Sequence, residues 1–205
     1  MKTVVLPGDA MPEGLAGTHY TYMSAGHAIS KVVGVYDDER KEIMPLEGAW
    51  HPRVGNSIVG VVASVDRNTC SIDLRHSSYG VLINDRMSRY RPRVGDVIES
   101  VVKSIERKNV PVMDRARPIE ESSWLVYVKP SKIPRVLGRN NSMLRQIEEL
   151  TQTRIIVGLN GFVAISGKGI NPAVASIRKI ESEAHTPGLT DRIREMLLSI
   201  KEYDK

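Results

Sequence analysis

The stretch from Ser122 to Ile147 contains no Asp or Glu, yet it holds Lys129, Lys132, Arg135, Arg139 and Arg145. Cationic side chains at that density do one kind of chemistry unaided: they neutralise the phosphates of a polyanion, and each phosphate neutralised releases counterions. Charge alone is equally satisfied by a solvated basic face. The imbalance is regional within a chain of 205 residues and net charge +5. Residues 1–52 carry −3, residues 53–122 carry +3 and residues 123–205 carry +5. An acidic first quarter leads into a basic remainder.

Residues suited to covalent chemistry are poorly arranged. Gly161-Phe162-Val163-Ala164-Ile165-Ser166-Gly167-Lys168-Gly169 nearly matches a phosphate-binding loop, but it is one residue too long and ends on Gly169 where a magnesium-binding hydroxyl belongs. It reads more naturally as a strand running into a turn. His19, His27, His51, His76 and His185 lack metal-ligand spacing, and Asp66, Asp73, Asp85 and Asp96 lack the paired placement of two-metal chemistry. Cys70 is the sole cysteine, so neither an internal disulfide nor a multi-cysteine zinc site is available. No catalytic residue, metal or cofactor is expected. No apolar run approaches the ~20 residues that span a bilayer, and the first residues do not resemble a signal peptide. A cytoplasmic, reducing setting is the expectation, with no membrane partner.

Three kinds of element would position these residues. Residues 1–52 carry frequent glycines between short β-rich runs such as Ile29–Tyr36, which reads as a small all-β domain; Asp37–Lys41 reads as a hairpin tip with water on every side. From 53 to 118 an echo appears: Pro52-Arg53-Val54-Gly55-Asn56 returns as Pro92-Arg93-Val94-Gly95-Asp96, each leading into a β-branched run. One local turn device used twice accounts for it, with Pro fixing φ, Gly permitting the turn and Asx bonding its own backbone. Val59, Val61, Ala63 and Val65 alternate, as do Val97, Val101 and Ile105, with Cys70–Arg75 between them. Four or five such strands suggest a closed barrel, which removes exposed edges. From 119 to 205 the expected order is a strand (Trp124–Val128), a short helix, a loop and a helix carrying Met143, Leu144, Ile147 and Leu150. Asn141 or Ser142 could cap that helix. A hairpin follows, then a helix opened by Asn171-Pro172, and a last helix with Ile193, Met196, Leu197 and Ile200 on one stripe.

That order, with Ile133–Leu144, resembles a KH RNA-binding domain. The Gly-x-x-Gly loop of such domains would here be Gly138-Arg139-Asn140-Asn141, with Asn141 in place of the second glycine; Lys132 and Arg135 lie just before it. Asn tolerates a left-handed backbone better than most residues. Ser57–Val62, Ile72-Asp73-Leu74 and Val94–Val97 resemble an S1 domain, an OB-fold relative, whose barrel stacks bases on rings beside a basic groove. The resemblance makes Arg75, His76 and Tyr79 candidates, together with Arg86, Arg89, Tyr90, Arg91 and Arg93; Tyr79 and Tyr90 could equally be half-buried barrel filler.

Together with Val5–Asp9, Ile43–Gly48 and Gly158-Leu159-Asn160-Gly161, these segments resemble one family over essentially the whole chain: the archaeal exosome's RNA-binding cap subunit of the N-terminal, S1 and KH type. The implied architecture is mixed α/β and multi-domain: a small all-β N-terminal domain, an OB-like S1 β-barrel and an α+β KH domain with an added C-terminal helix. The resemblance implies single-stranded RNA and a ring of RNase PH-like subunits as partners, and a structural S1–KH junction at Gly158, Asn160 and Gly161. The sister cap carries a zinc ribbon, which one cysteine cannot build; mixed caps with it are possible partners. Two other readings stand beside this one: a stand-alone RNA-binding regulator or translation-linked factor, and a nuclease in its own right.

Overall fold

The computed structural model describes residues 2–12, 20–39, 41–45, 48–83, 90–184, 186 and 188–203. The chain divides into two compact units, Met1–Ala49 and Trp50–Lys205.

In the first unit, β1 (Lys2–Val5), β4 (Gly34–Asp37) and β5 (Glu42–Pro45) form an antiparallel sheet with β4 at its centre, while β2 (Thr21–Ser24) and β3 (His27–Ser30) form a hairpin. Val5, Met11, Ala28, Tyr36 and Ile43 make its core. The β-rich run from Ile29 is broken, because β3 ends at Ser30 and β4 starts at Gly34. Asp37 is not a solvated tip residue: it is buried, and its carboxylate accepts the Glu39 N–H at 3.1 Å. Arg40 lies outside the described residues.

One turn recurs three times, not two. In Leu6–Asp9, Arg53–Asn56 and Arg93–Asp96, the Asx side chain accepts the N–H three residues before it, at 2.8, 3.2 and 2.9 Å. The glycine before each Asx has φ of +99°, +87° or +94°, which explains the residue type. Each turn then grips one residue of a neighbouring strand by two backbone bonds. Gly8 N–H and Asp9 C=O hold Ser30; Gly55 and Asn56 hold Val102; Gly95 and Asp96 hold Val62. The local device is therefore a strand starter that docks on a partner as it turns.

The second unit begins with β6 (Ser57–Val65), β7 (Thr69–Asp73), β8 (Gly80–Ile83), β9 (Val97–Glu106) and β10 (Val110–Pro118), closed as β10-β8-β7-β6-β9. Only β10 with β8 is parallel among these pairs. Ile58, Val62, Cys70, Ile72, Leu74, Ile98 and Val102 fill the interior. Most of the alternating set visible in the sequence of β6 and β9 is thus the outer one: Val65 is exposed, and Val97 and Val101 are only half-buried, whereas Ile105 packs against the interior. The physical reason is that β6 is apolar on both faces, so its pattern does not say which face is inside. Val59 points away from the barrel and packs with Ile119, Phe162 and Ala164.

The chain continues through β11 (Trp124–Tyr127), α1 (Ile133–Leu137), α2 (Ser142–Thr151), β12 (Thr153–Val157), β13 (Phe162–Gly167), α3 (Ile170–Glu183) and α4 (Leu189–Tyr203), with sheet order β11-β13-β12. Val126, Val163 and Ile165 on the sheet meet Ile133, Val136, Met143, Ile147, Ala173, Ile177, Ile180, Ile193 and Leu197 on the helices. Helix α2 begins at Ser142 without a side-chain cap; Asn141 instead takes the left-handed backbone just before it. Helix α3 starts at Ile170, so Pro172 lies inside its first turn rather than opening it.

Candidate nucleic-acid interface

Gly158-Leu159-Asn160-Gly161 joins β12 to β13 and reaches into the barrel. Asn160 is 1% exposed. Its Nδ2 donates to the carbonyls of Val59 (2.7 Å) and Leu74 (3.2 Å), and its Oδ1 accepts the Val59 N–H at 3.2 Å. Leu159 N–H adds a bond to Ser57 C=O at 2.9 Å. A Cβ on Gly158 would lie 2.5 Å from Val59 N, and one on Gly161 (φ +99°) 2.4 Å from Val128 O. Three backbone groups of the barrel thus depend on one side chain of the αβ module.

Arg75 belongs to the same junction. Its guanidinium carbon sits 4.0 Å from the centroid of Tyr127 on β11, and Tyr127 meets Phe162 edge-on at 5.9 Å. Its N–H is bonded to Asp73 Oδ1, and its φ is +53°. A cation stacked on a ring of the neighbouring module is a packing element as much as an electrostatic one.

The aromatic candidates separate by burial. His76 is packed edge-on against Trp50 at 5.7 Å, and burial lowers its pKa below the ordinary imidazole value. Trp50 in turn donates Nε1–H to Asn56 Oδ1, so His76 braces one turn. Tyr90 packs against the barrel core and donates its hydroxyl to Asp96 Oδ2 at 2.6 Å, bracing another; burial, with that bond, raises its pKa far above the usual phenol value. These two braced turns hold opposite ends of the β6–β9 ribbon, roughly 20 Å apart at the usual strand rise. Tyr79 is different: it is 58% exposed, on the outer side of the barrel before β8. Arg91 and Arg93 are exposed and share an open cleft of about 850 Å³ with Tyr90, Pro118 and Ile119. Arg86 and Arg89 lie outside the described residues.

Barrels with this strand order bind on the face of their second and third strands, flanked by the loops between strands one and two and between strands four and five. Here those are β7 and β8, with the 66–68 and 107–109 loops, where Arg67 and Arg107 are exposed. Sequence reasoning missed both, since neither loop can be assigned a place before the strand order is known.

In the αβ module, Gly138 (φ +72°), Asn140 (φ +53°) and Asn141 (φ +61°) carry the chain from α1 to α2. A Cβ on Gly138 would fall 2.7 Å from Met143 Cβ. Arg139, Asn140 and Asn141 are exposed. Arg139 and Asn140 line a cleft with α2 and α4, whereas Lys132 and Arg135 do not border it. Among the described residues no three His, Cys, Asp or Glu side chains gather as a metal site would need, and no helix is long and apolar enough to cross a membrane.

A closed five-stranded barrel of OB order, bonded to a β-α-α-β-β-α module with a left-handed glycine loop, defines the class of S1–KH chains. The comparisons agree: residues 123–180 match the KH domain model. The chain is 33% identical to "Exosome complex component Rrp4" of Pyrococcus furiosus, covering 97% of this chain and 83% of that protein. It is 32% identical to the protein of the same name from Thermoplasma acidophilum, covering 98% and 92%. A crystal structure of a proposed exosome complex RNA-binding protein superposes with a TM-score of 0.68 at 26% identity, covering 77% of this chain and all of that one. The chain belongs to the Rrp4 family of exosome complex components.

Proposed function

We propose that this chain is a non-catalytic, RNA-binding subunit of an exosome, which captures single-stranded RNA and guides its 3′ end to partners that degrade it. The carrying observation is kinship along the whole length with exosome components, joined to a barrel and a KH module that share one buried junction. RNA would be held on the barrel by Tyr79, by Arg91 and Arg93 with Arg86 and Arg89, and by Arg67 and Arg107 in the flanking loops. Lys132, Arg135 and the Gly138–Asn141 loop would extend the path. Arg75 braces it at the exposed edge of the junction, His76 and Tyr90 support it from beneath, and Gly158, Asn160 and Gly161 fix the junction. In functional terms residues 1–52 dock, 53–118 form the S1 domain and 119–205 the KH domain. The acidic first quarter, least suited to phosphate, would contact a ring of RNase PH-like subunits, in the cytoplasm, in caps of this type alone or mixed with the zinc-ribbon type.

Co-elution with purified ring subunits tests the docking: a stable complex is expected, and a chain that elutes alone while binding RNA would favour the stand-alone regulator. For RNA, the joint substitution of Arg86, Arg89, Arg91 and Arg93 by Gln should flatten the salt dependence, with about 0.7 lost from the log–log slope for each phosphate contact.

A further inference from the structure

We propose that the cleft between α2 and α4 binds the phosphodiester backbone of an RNA strand, as a contact separate from the barrel face; this rests on the reading that the chain binds RNA. Arg139 and Arg145 come from the acid-free stretch, but Arg194 comes from α4, far along the sequence. The fold brings all three to one open cleft of about 730 Å³, with Ser142, Gln146 and Glu149. Ser142, Arg145, Gln146 and Glu149 recur at helical spacing, so they share one face of α2. Gln146 donates Nε2–H to Thr190 C=O at 3.4 Å, which ties that face to the start of α4.

The charges there are uncommitted. Elsewhere in the module Arg178 is paired with Glu181 and Arg192 with Glu183. Among the described residues Arg139, Arg145 and Arg194 make no ion pair or side-chain hydrogen bond, and Glu149 is the single carboxylate residue among those that line the cleft with them. Three planar forks around a concave surface suit phosphate oxygens, which they bind two donors at a time. The cleft is open rather than enclosed, so it fits a strand lying across it better than a small anion held within. Its continuity with the exposed Gly138–Asn141 loop favours nucleic acid over an acidic protein segment.

The test uses the full chain and a fluorescent single-stranded oligouridylate, with binding measured across a salt series. Arg145→Gln with Arg194→Gln should lower the log–log slope by about 1.4, in addition to the loss caused by barrel substitutions. Glu149→Lys should steepen the slope and tighten binding severalfold at low salt. An unchanged slope in the double variant, with a reduced slope in Arg91→Gln/Arg93→Gln, would confine RNA to the barrel and overturn the proposal while leaving the RNA-binding reading intact. Absence of RNA binding by the unaltered chain would overturn both. If the double variant keeps its slope but no longer co-elutes with ring subunits, the cleft is a protein contact and the proposal fails. Should the double variant not fold, Glu149→Lys decides alone: tighter binding supports the site, and unchanged binding refutes it.

Discussion

Two short glycine-led loops of the αβ module, Gly138-Arg139-Asn140-Asn141 and Gly158-Leu159-Asn160-Gly161, look alike in sequence and have opposite fates. In both, glycine is fixed by crowding: a Cβ would sit 2.7 Å from Met143 at Gly138 and 2.4 Å from Val128 O at Gly161. The asparagines part company. Asn160 is 1% exposed and serves three backbone groups of the barrel, while Asn140 and Asn141 stand in solvent with left-handed backbones. The difference is the neighbour. Where the barrel abuts the loop, the amide becomes a substitute strand for Val59; where the described residues leave the loop exposed, it and the flanking arginines are available to a ligand. A polar loop residue thus has no fixed role: the surface opposite decides between structure and recognition.

The widest separation should come from Asn160→Ala. It orphans Val59 N–H and C=O and Leu74 C=O, at about 1–3 kcal/mol per buried group left unpaired, so urea unfolding should show a loss of about 3 kcal/mol or more. A loss under 1 kcal/mol would mean the junction is not held as described. Gly161→Ala comes next, at about 2 kcal/mol or more, because positive φ and the Val128 carbonyl both resist a side chain. Gly138→Ala should cost about 1–3 kcal/mol by the same measurement, which would show that both loops need glycine and differ only in their asparagines. Arg75→Ala removes an exposed cation–ring stack and should cost about 0.5–1 kcal/mol, with less change in the RNA salt slope than Arg91→Gln/Arg93→Gln produces. Smallest in stability is Arg139→Gln: no measurable shift in unfolding, but about 0.7 off the salt slope of RNA binding.

Much of this was legible in the residues. The order from β11 to α4 follows from helical and alternating spacing, and Met143, Ile147, Ala173, Ile177, Ile180, Ile193 and Leu197 are buried where that spacing put them. The Gly-Asx turn was legible twice; its third copy at Leu6–Asp9 was hidden because Leu-Pro replaces Arg-Val before the glycine. What the residues alone do not reveal is their tertiary neighbours. The alternation of Val59 with Val61, Ala63 and Val65 gives no sign that Val59 faces Phe162, a hundred residues away. Arg75 is a candidate RNA contact in the sequence, and its stacking on Tyr127 shows only in the fold because the two are remote in sequence. Tyr90 offered a ring for stacking, yet its hydroxyl and the barrel core use it first. Arg67, Arg107 and Arg194 gain significance only once strand order and helix packing place them.

The most direct test of the central claim follows one labelled single-stranded RNA incubated with the purified chain, magnesium and inorganic phosphate, read on native and denaturing gels from the same sample. The account predicts a retarded complex from which full-length RNA is recovered, with degradation appearing only when the ring subunits are added. RNA shortened by the chain alone, or RNA never retarded at low salt, would contradict it.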